Sequence, residues 1–242
     1  MIETAFGLAA YLEQGGLDGD WHAALGIGIR AAVASSPLPV DVLTPGELER
    51  YRRLQDPVRR RTWLTGRAAL KRLLRRLDRA SDTSLVDFPA ADISLSHSGG
   101  IALAVACAET FSEPASASAR GLGVDIEADR SLRPEAARFF LTPDEQERLA
   151  RPGPGAAGMD HAQELLRAWT IKEAVFKSDP DNRGRMLADY RLADAAARVG
   201  TARLAKASEV TGGFRYISHH LAGWRISVAA YFRESEGMHG QG

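Results

Sequence analysis

The chain has 242 residues, 45% hydrophobic and 26% charged, with a formal net charge of zero. That length suffices for one large core or two smaller ones, and no apolar run approaches the roughly 20 residues needed to cross a bilayer. A single cysteine, Cys107, excludes an internal disulfide framework, and the N-terminal stretch MIETAFGLAAYLEQGG carries Glu3 and Glu13 without a basic start, so a soluble, cytoplasmic protein is expected.

Residues 24–34, ALGIGIRAAVA, are apolar and of strand length. Thr44-Pro45-Gly46-Glu47 has the form of a capping box with proline at the first helical position, which predicts a helix through Leu54. Asp56-Pro57 opens a second helix in the same way, with Leu64, Ala68, Leu70, Leu73, Leu74 and Leu77 as its apolar stripe. Between Arg50 and Arg79 stand twelve Lys/Arg against two acids, Asp56 and Asp78, a local balance of +10. Such a surface suits phosphates, an acidic protein or nucleic acid, and equally an ordinary solvated helix face.

Two short strands should follow: residues 92–97 (DISLSH) alternate, 98–100 (SGG) turn, and 101–107 (IALAVAC) run back. Residues 109–120, ETFSEPASASAR, read as a linker dividing the chain into halves 1–119 and 120–242. The second half opens on a strand over 122–126 in GLGVDIE, then a capping box at Thr142-Pro143-Asp144-Glu145 with a helix to about Ala150. A loop is expected over 151–158, a long helix from about Asp160 to Ser178, and two closing strands, FRYISHH and WRISVAAYF. ISLSHSGGIALAVA in the first half and YISHHLAGWRISVAA in the second share their local order. A duplicated α/β unit or a common hairpin style would each explain it.

Three groups of residues could carry chemistry. Asp125 and Glu127 flank Ile126 in a strand, so both carboxylates project to one face. At an effective dielectric of 20 two charges a few Å apart repel by about 4 kcal/mol, which protonation, a cationic side chain or a metal must relieve. Oxygen-only ligands suit magnesium and diphosphate chemistry; a solvated strand end is the ordinary alternative. In WTIKEAVFK, Glu173 and Lys177 are i,i+4 neighbours with Trp169 one turn earlier, a pattern shared with plain surface ion pairs. Ser96-His97-Ser98 ends a strand at a glycine turn whose main-chain N–H groups could hold a phosphate.

Taken together and in order, LSHSGGIALAVA, GVDIE and WTIKEAVFK resemble the Sfp-type (surfactin-synthetase-activating) 4′-phosphopantetheinyl transferases, whose signatures are an SHS turn, a GxDxE strand and a WxxKExxxK helix. The resemblance runs from about Thr44 to Lys177 and over the closing strands. It implies an α+β fold of two similar halves with the active site at their interface, in a monomer. It implies magnesium held by Asp125 and Glu173, with Glu127 as a further ligand, and coenzyme A as co-substrate. Lys177 would sit on the transferred phosphate, Ser96 and His97 on coenzyme A phosphates, and Arg59, Arg60 and Arg67, in RRRTWLTGR, on the 3′-phosphate. Asp125, Glu173 and Lys177 are thus the expected catalytic group, with Glu173 or a metal-held water as base. The partner implied is an apo acyl or peptidyl carrier protein, with residues 139–149 (FFLTPDEQERL) as a contact region, and neither nucleic acid nor membrane. One departure is plain: the family's GKP-like element before SHS has no lysine counterpart here, where the chain reads SDTSLVDFPAAD. Another magnesium-dependent phosphotransferase or nuclease, and a non-catalytic carrier-binding relative, remain alternative readings.

Overall fold

A computed structural model describes residues 2–108, 119–151, 161–205 and 212–233. The chain is α+β, and its described residues form two antiparallel sheets. The first sheet, in the order β1-β3-β2, holds β1 (Ile29–Ala34), β2 (Ile93–Ser98) and β3 (Ile101–Cys107). The second, in the order β4-β8-β7-β6-β5, holds β4 (Ala119–Ala128), β5 (Tyr190–Leu192), β6 (Val199–Leu204), β7 (Gly212–Leu221) and β8 (Trp224–Arg233).

Both capping boxes form. Thr44 accepts from the Glu47 N–H at 3.3 Å and Glu47 from the Thr44 N–H at 2.9 Å, starting α3 (Pro45–Arg53). Thr142 and Glu145 do the same for α5 (Pro143–Ala150), at 3.4 Å and 2.8 Å. These reciprocal bonds satisfy main-chain donors that a helix start leaves unpaired. Asp56 caps α4 (Pro57–Arg76) by accepting from the Val58 N–H, and its leucines bury against the alanines of β1 and β3. The long helix of the second half is α6 (His161–Ser178), buried against Phe214, Tyr216 and Ala229 of the second sheet.

The other faces of the two sheets share one core, in which Ile29, Val33, Leu103, Val105, Val124, Ile126, Ile226 and Val228 meet. That core is closed by two helices the sequence reading did not foresee, α1 (Ile2–Glu13) and α2 (Asp18–Leu25), through Leu8, Leu12, Trp21 and Leu25. The first strand accordingly begins at Ile29, later than position 24. Strands β5 and β6 are likewise additions. The expected linker falls on 109–118, outside the described residues, and positions 119 and 120 already belong to β4; of the expected loop only Arg151 is described. Among the described residues no helix is long and apolar enough to cross a membrane.

Helix α6 lies unusually close to β4, and two glycines permit it. A Cβ on Gly123 would stand 1.9 Å from the carbonyl oxygen of Ala174, and one on Gly121 1.9 Å from that of Ser178. Neither position tolerates a side chain without moving the helix. This close approach brings the residues after Trp169 against the acids of β4.

Candidate active site

A cavity of about 550 Å³ opens where β2 of the first half meets β4 and α6 of the second. Such a volume is ordinary for a small-molecule site. Phe88, Ala90, Leu95 and Trp169 form apolar wall, while Asp125, Glu127, Glu173 and Lys177 supply charge, with Ser96 and His97 also at the wall. Trp169 is fixed edge-on against Phe140, centroids 5.2 Å apart.

Strand alternation puts Asp125 and Glu127 on the face toward α6, as the spacing requires. Asp125 is 4% exposed; its Oδ1 accepts from Ser96 Oγ and from Lys177 Nζ, each at 2.7 Å. Its Oδ2 is buried and has no hydrogen-bond partner among the described residues. Burial pushes the Asp125 carboxyl up, against the pull of Lys177 and Ser96. Glu127 accepts from Ser98 Oγ at 2.7 Å and lies 3.3 Å from the guanidinium of Arg130. Glu173 stands 4.0 Å from Lys177. Its carboxyl is also pushed up, first by burial and then by the charges of Asp125 and Glu127, with Lys177 opposing. Three acids and one ammonium therefore share a partly dry site, where charge is costly unless compensated.

The expected metal ligands meet in this cavity, yet among the described residues no three acid, histidine or cysteine side chains converge as a ready metal cluster. The reason is local: the Lys177 ammonium lies between Asp125 and Glu173 and meets the need for positive charge there. The donor set nevertheless fits a hard divalent cation. All donors are carboxylate oxygens, and Asp125 Oδ2 is a buried carboxylate oxygen with no hydrogen-bond partner among the described residues, which leaves it open as a ligand.

The arginines are placed differently from the acids. Arg59 is exposed on the first turn of α4. Arg60 donates to the Leu54 carbonyl at 2.6 Å with its guanidinium 5.2 Å over the Tyr51 ring. Arg67 is buried, donates to the Thr83 carbonyl at 3.1 Å and lies 4.9 Å over Trp63. None of the three lines the cavity. Where the resemblance directs attention to a lysine, the wall is Phe88-Pro89-Ala90.

Sequence reasoning missed the partners of the acids. Ser94, Ser96 and Ser98 reach across to β4, and Ser96 and Ser98 hold the two carboxylates. The alternation of serines in ISLSHS was the available signal. It also missed the role of Lys172, the first lysine of WTIKEAVFK. That side chain is fully buried, donating to both oxygens of Glu145 at 2.8 and 2.9 Å and to the Tyr190 carbonyl. It anchors α6 to α5 and β5 rather than facing the cavity.

Residues 121–229, somewhat less than half of the chain, match the family model described as the 4′-phosphopantetheinyl transferase superfamily. That stretch contains Asp125, Glu127, Glu173 and Lys177. Among solved structures, a holo-[acyl-carrier-protein] synthase of Thermotoga maritima is similar at 14% identity and a TM-score of 0.38. The similarity covers 49% of this chain and 66% of that one, just under two thirds of its length. A likeness so distant carries nothing about chemistry. No curated protein matches the sequence.

Proposed function

We propose that the protein is a 4′-phosphopantetheinyl transferase of the Sfp type, which moves the phosphopantetheine arm of coenzyme A to a serine of an apo carrier protein. One observation carries this reading: Asp125 from β4 and Glu173 from α6 face one cavity with Lys177 between them. The family match over 121–229 spans all of these residues.

Asp125, through its unpartnered Oδ2, together with Glu127 and Glu173, would hold magnesium, which when bound supplies positive charge to the coenzyme A diphosphate. Lys177, on leaving Asp125, sets its ammonium against the phosphoryl group being transferred and offsets the charge developing there. Glu173, or a water that the metal would hold, takes the proton of the carrier serine as its Oγ bonds to the β-phosphorus. The bond from that phosphorus to the bridging oxygen breaks, and adenosine 3′,5′-bisphosphate leaves with the oxygen. His97 contacts the coenzyme A phosphates from the cavity wall, and the apolar side formed by Phe88, Ala90 and Leu95 excludes water.

We assign the 3′-phosphate to Arg59, Arg60 and Arg67 on the resemblance alone. The carrier would approach over residues 139–149, where Phe139 is 61% exposed on the turn before α5. Because β2, β4 and α6 of one chain build the cavity, a second copy is not needed to wall it, which supports a monomer.

The test is incubation with coenzyme A, Mg²⁺ and apo-carriers from fatty-acid, polyketide and nonribosomal-peptide systems, followed by intact-mass measurement. At least one carrier should gain a single phosphopantetheine group while adenosine 3′,5′-bisphosphate appears in equal amount. A folded protein that leaves every carrier class unmodified contradicts the reading.

A further inference from the structure

Strand β2 carries serine at every second position, Ser94, Ser96 and Ser98, so all three hydroxyls point toward the edge of β4. The two strands belong to different sheets, and the serines bridge them. Ser94 Oγ accepts from the Val124 N–H at 3.0 Å, Ser96 Oγ from the Ile126 N–H at 3.4 Å and Ser98 Oγ from the Ala128 N–H at 3.3 Å. A hydroxyl has one proton to give. Ser96 gives its proton to Asp125 Oδ1 and Ser98 to Glu127 Oε2, each at 2.7 Å. The same two oxygens therefore dock the halves of the molecule and set the orientation of two acids.

We propose that Ser96 and Ser98 are positioning residues of the active site, orienting Asp125 and Glu127 for a divalent cation. This rests on the transferase reading above. By fixing Oδ1 with Ser96 and Lys177, the structure leaves Oδ2 of Asp125 as the oxygen without a protein donor. Ligand carboxylates held by outer hydroxyls bind metal more tightly, since their geometry is prepared before the ion arrives. The Ser96 proton is engaged by a carboxylate, so its service to the site is to Asp125. Ser94 is the internal comparison: it makes the same main-chain bridge, but among the described residues no carboxylate accepts from its hydroxyl.

The experiment titrates Mn²⁺ into the full chain carrying Ser94→Ala, Ser96→Ala, Ser98→Ala or Ser96→Thr. Unfolding midpoints and the Mg²⁺ dependence of transfer are followed alongside. Each alanine variant breaks one main-chain bridge, and Ser96→Ala and Ser98→Ala should lose more stability than Ser94→Ala because each also removes a hydrogen bond to a carboxylate. Ser96→Ala and Ser98→Ala should weaken Mn²⁺ binding by about tenfold or more. Ser94→Ala should stay within about twofold of the parent, and Ser96→Thr, which retains the hydroxyl, should recover most of the loss. If the parent binds Mn²⁺ and the three alanine variants bind it alike, the positioning role is overturned while the transferase reading stands. If the parent binds no Mn²⁺ at its acids, with Asp125→Ala as the blank, the metal reading falls and takes this role with it.

Discussion

The two halves of the chain share a frame and differ in what they mount on it. In each, a capping-box glutamate reaches a buried lysine of the following long helix: Glu47 with Lys71 at 2.9 Å, Glu145 with Lys172 at 2.8 Å. The same glutamates also accept a main-chain N–H from the segment after that helix, Thr83 in one half and Leu192 in the other. The strand registers extend the match. Val105 and Val228 occupy the same place after their two-residue turns and pair with Ala31 and Val124. Asp125 therefore corresponds to Ala32 and Glu127 to Ala34, both fully buried under α4. Counting from the paired lysines, Glu173 corresponds to Arg72 and Lys177 to Arg76.

The first half uses those positions for structure. Arg72 and Arg76 donate to the carbonyls of Val33 and Ala31 along the edge of β1, and Glu13 accepts the Val33 N–H at 3.4 Å. Side chains thus cover an edge strand that would otherwise expose unpaired groups. In the second half the edge of β4 is covered by the serines of β2, which leaves its acids facing a cavity. Two alanines in one half and two acids in the other, on one frame, separate a packed face from a site.

The largest contrast should appear in transfer. Glu173→Ala should lower the rate by about 10²–10⁴-fold, the range for removing a general base, whereas its counterpart Arg72→Ala should stay within about twofold; intact-mass rates on folded variants decide. Next comes the anchoring pair. Removing one partner of a buried ion pair costs about 3–5 kcal/mol, so Lys172→Met should lose that much in urea unfolding, and adding Glu145→Gln should restore much of it. Lys71→Met should lose less, because its side chain keeps 11% exposure against none for Lys172. Gly123→Ala should cost about 1–3 kcal/mol by overpacking and depress transfer by moving α6, while the corresponding position of β1, Arg30, already carries a side chain.

The smallest effect is in acid. Burial alone would raise the Glu47 carboxyl, but bonds from Thr83, the Thr44 N–H and Lys71 outweigh it and hold the group below the usual carboxylate range. A lowered carboxylate contributes stability above its ordinary pKa and loses it as pH falls through the lowered one. Glu47→Gln should therefore flatten the acid limb of the stability profile below that range without steepening it above; an unchanged limb would show that Glu47 does not supply the slope.

Local signals were legible and distant ones were not. The capping boxes at Thr44 and Thr142 formed because their bonds close within four residues. Helices α1 and α2 escaped notice because their stretch shows no clear apolar stripe; Leu8, Leu12 and Trp21 gain meaning only from the shared core they close. Strands β5 and β6 are short and expose Arg191 and Arg203, so they lack the apolar alternation that marks a buried strand. Asp125, Glu127, Glu173 and Lys177 stood out by spacing. Their serine partners lie about thirty residues from β4 in sequence, so the alternation in ISLSHS marks one face of β2 without saying what that face meets. Arg60 and Arg67 stood out through the resemblance of their basic stretch, and the fold adds the carbonyls that each also satisfies.

Counting Mn²⁺ bound per chain by electron paramagnetic resonance tests most directly whether the second half alone carries the metal site. One ion per parent chain, lost in Glu173→Ala and retained in Arg72→Ala, is the predicted result. Two ions per chain, or one that persists in Glu173→Ala, would contradict it.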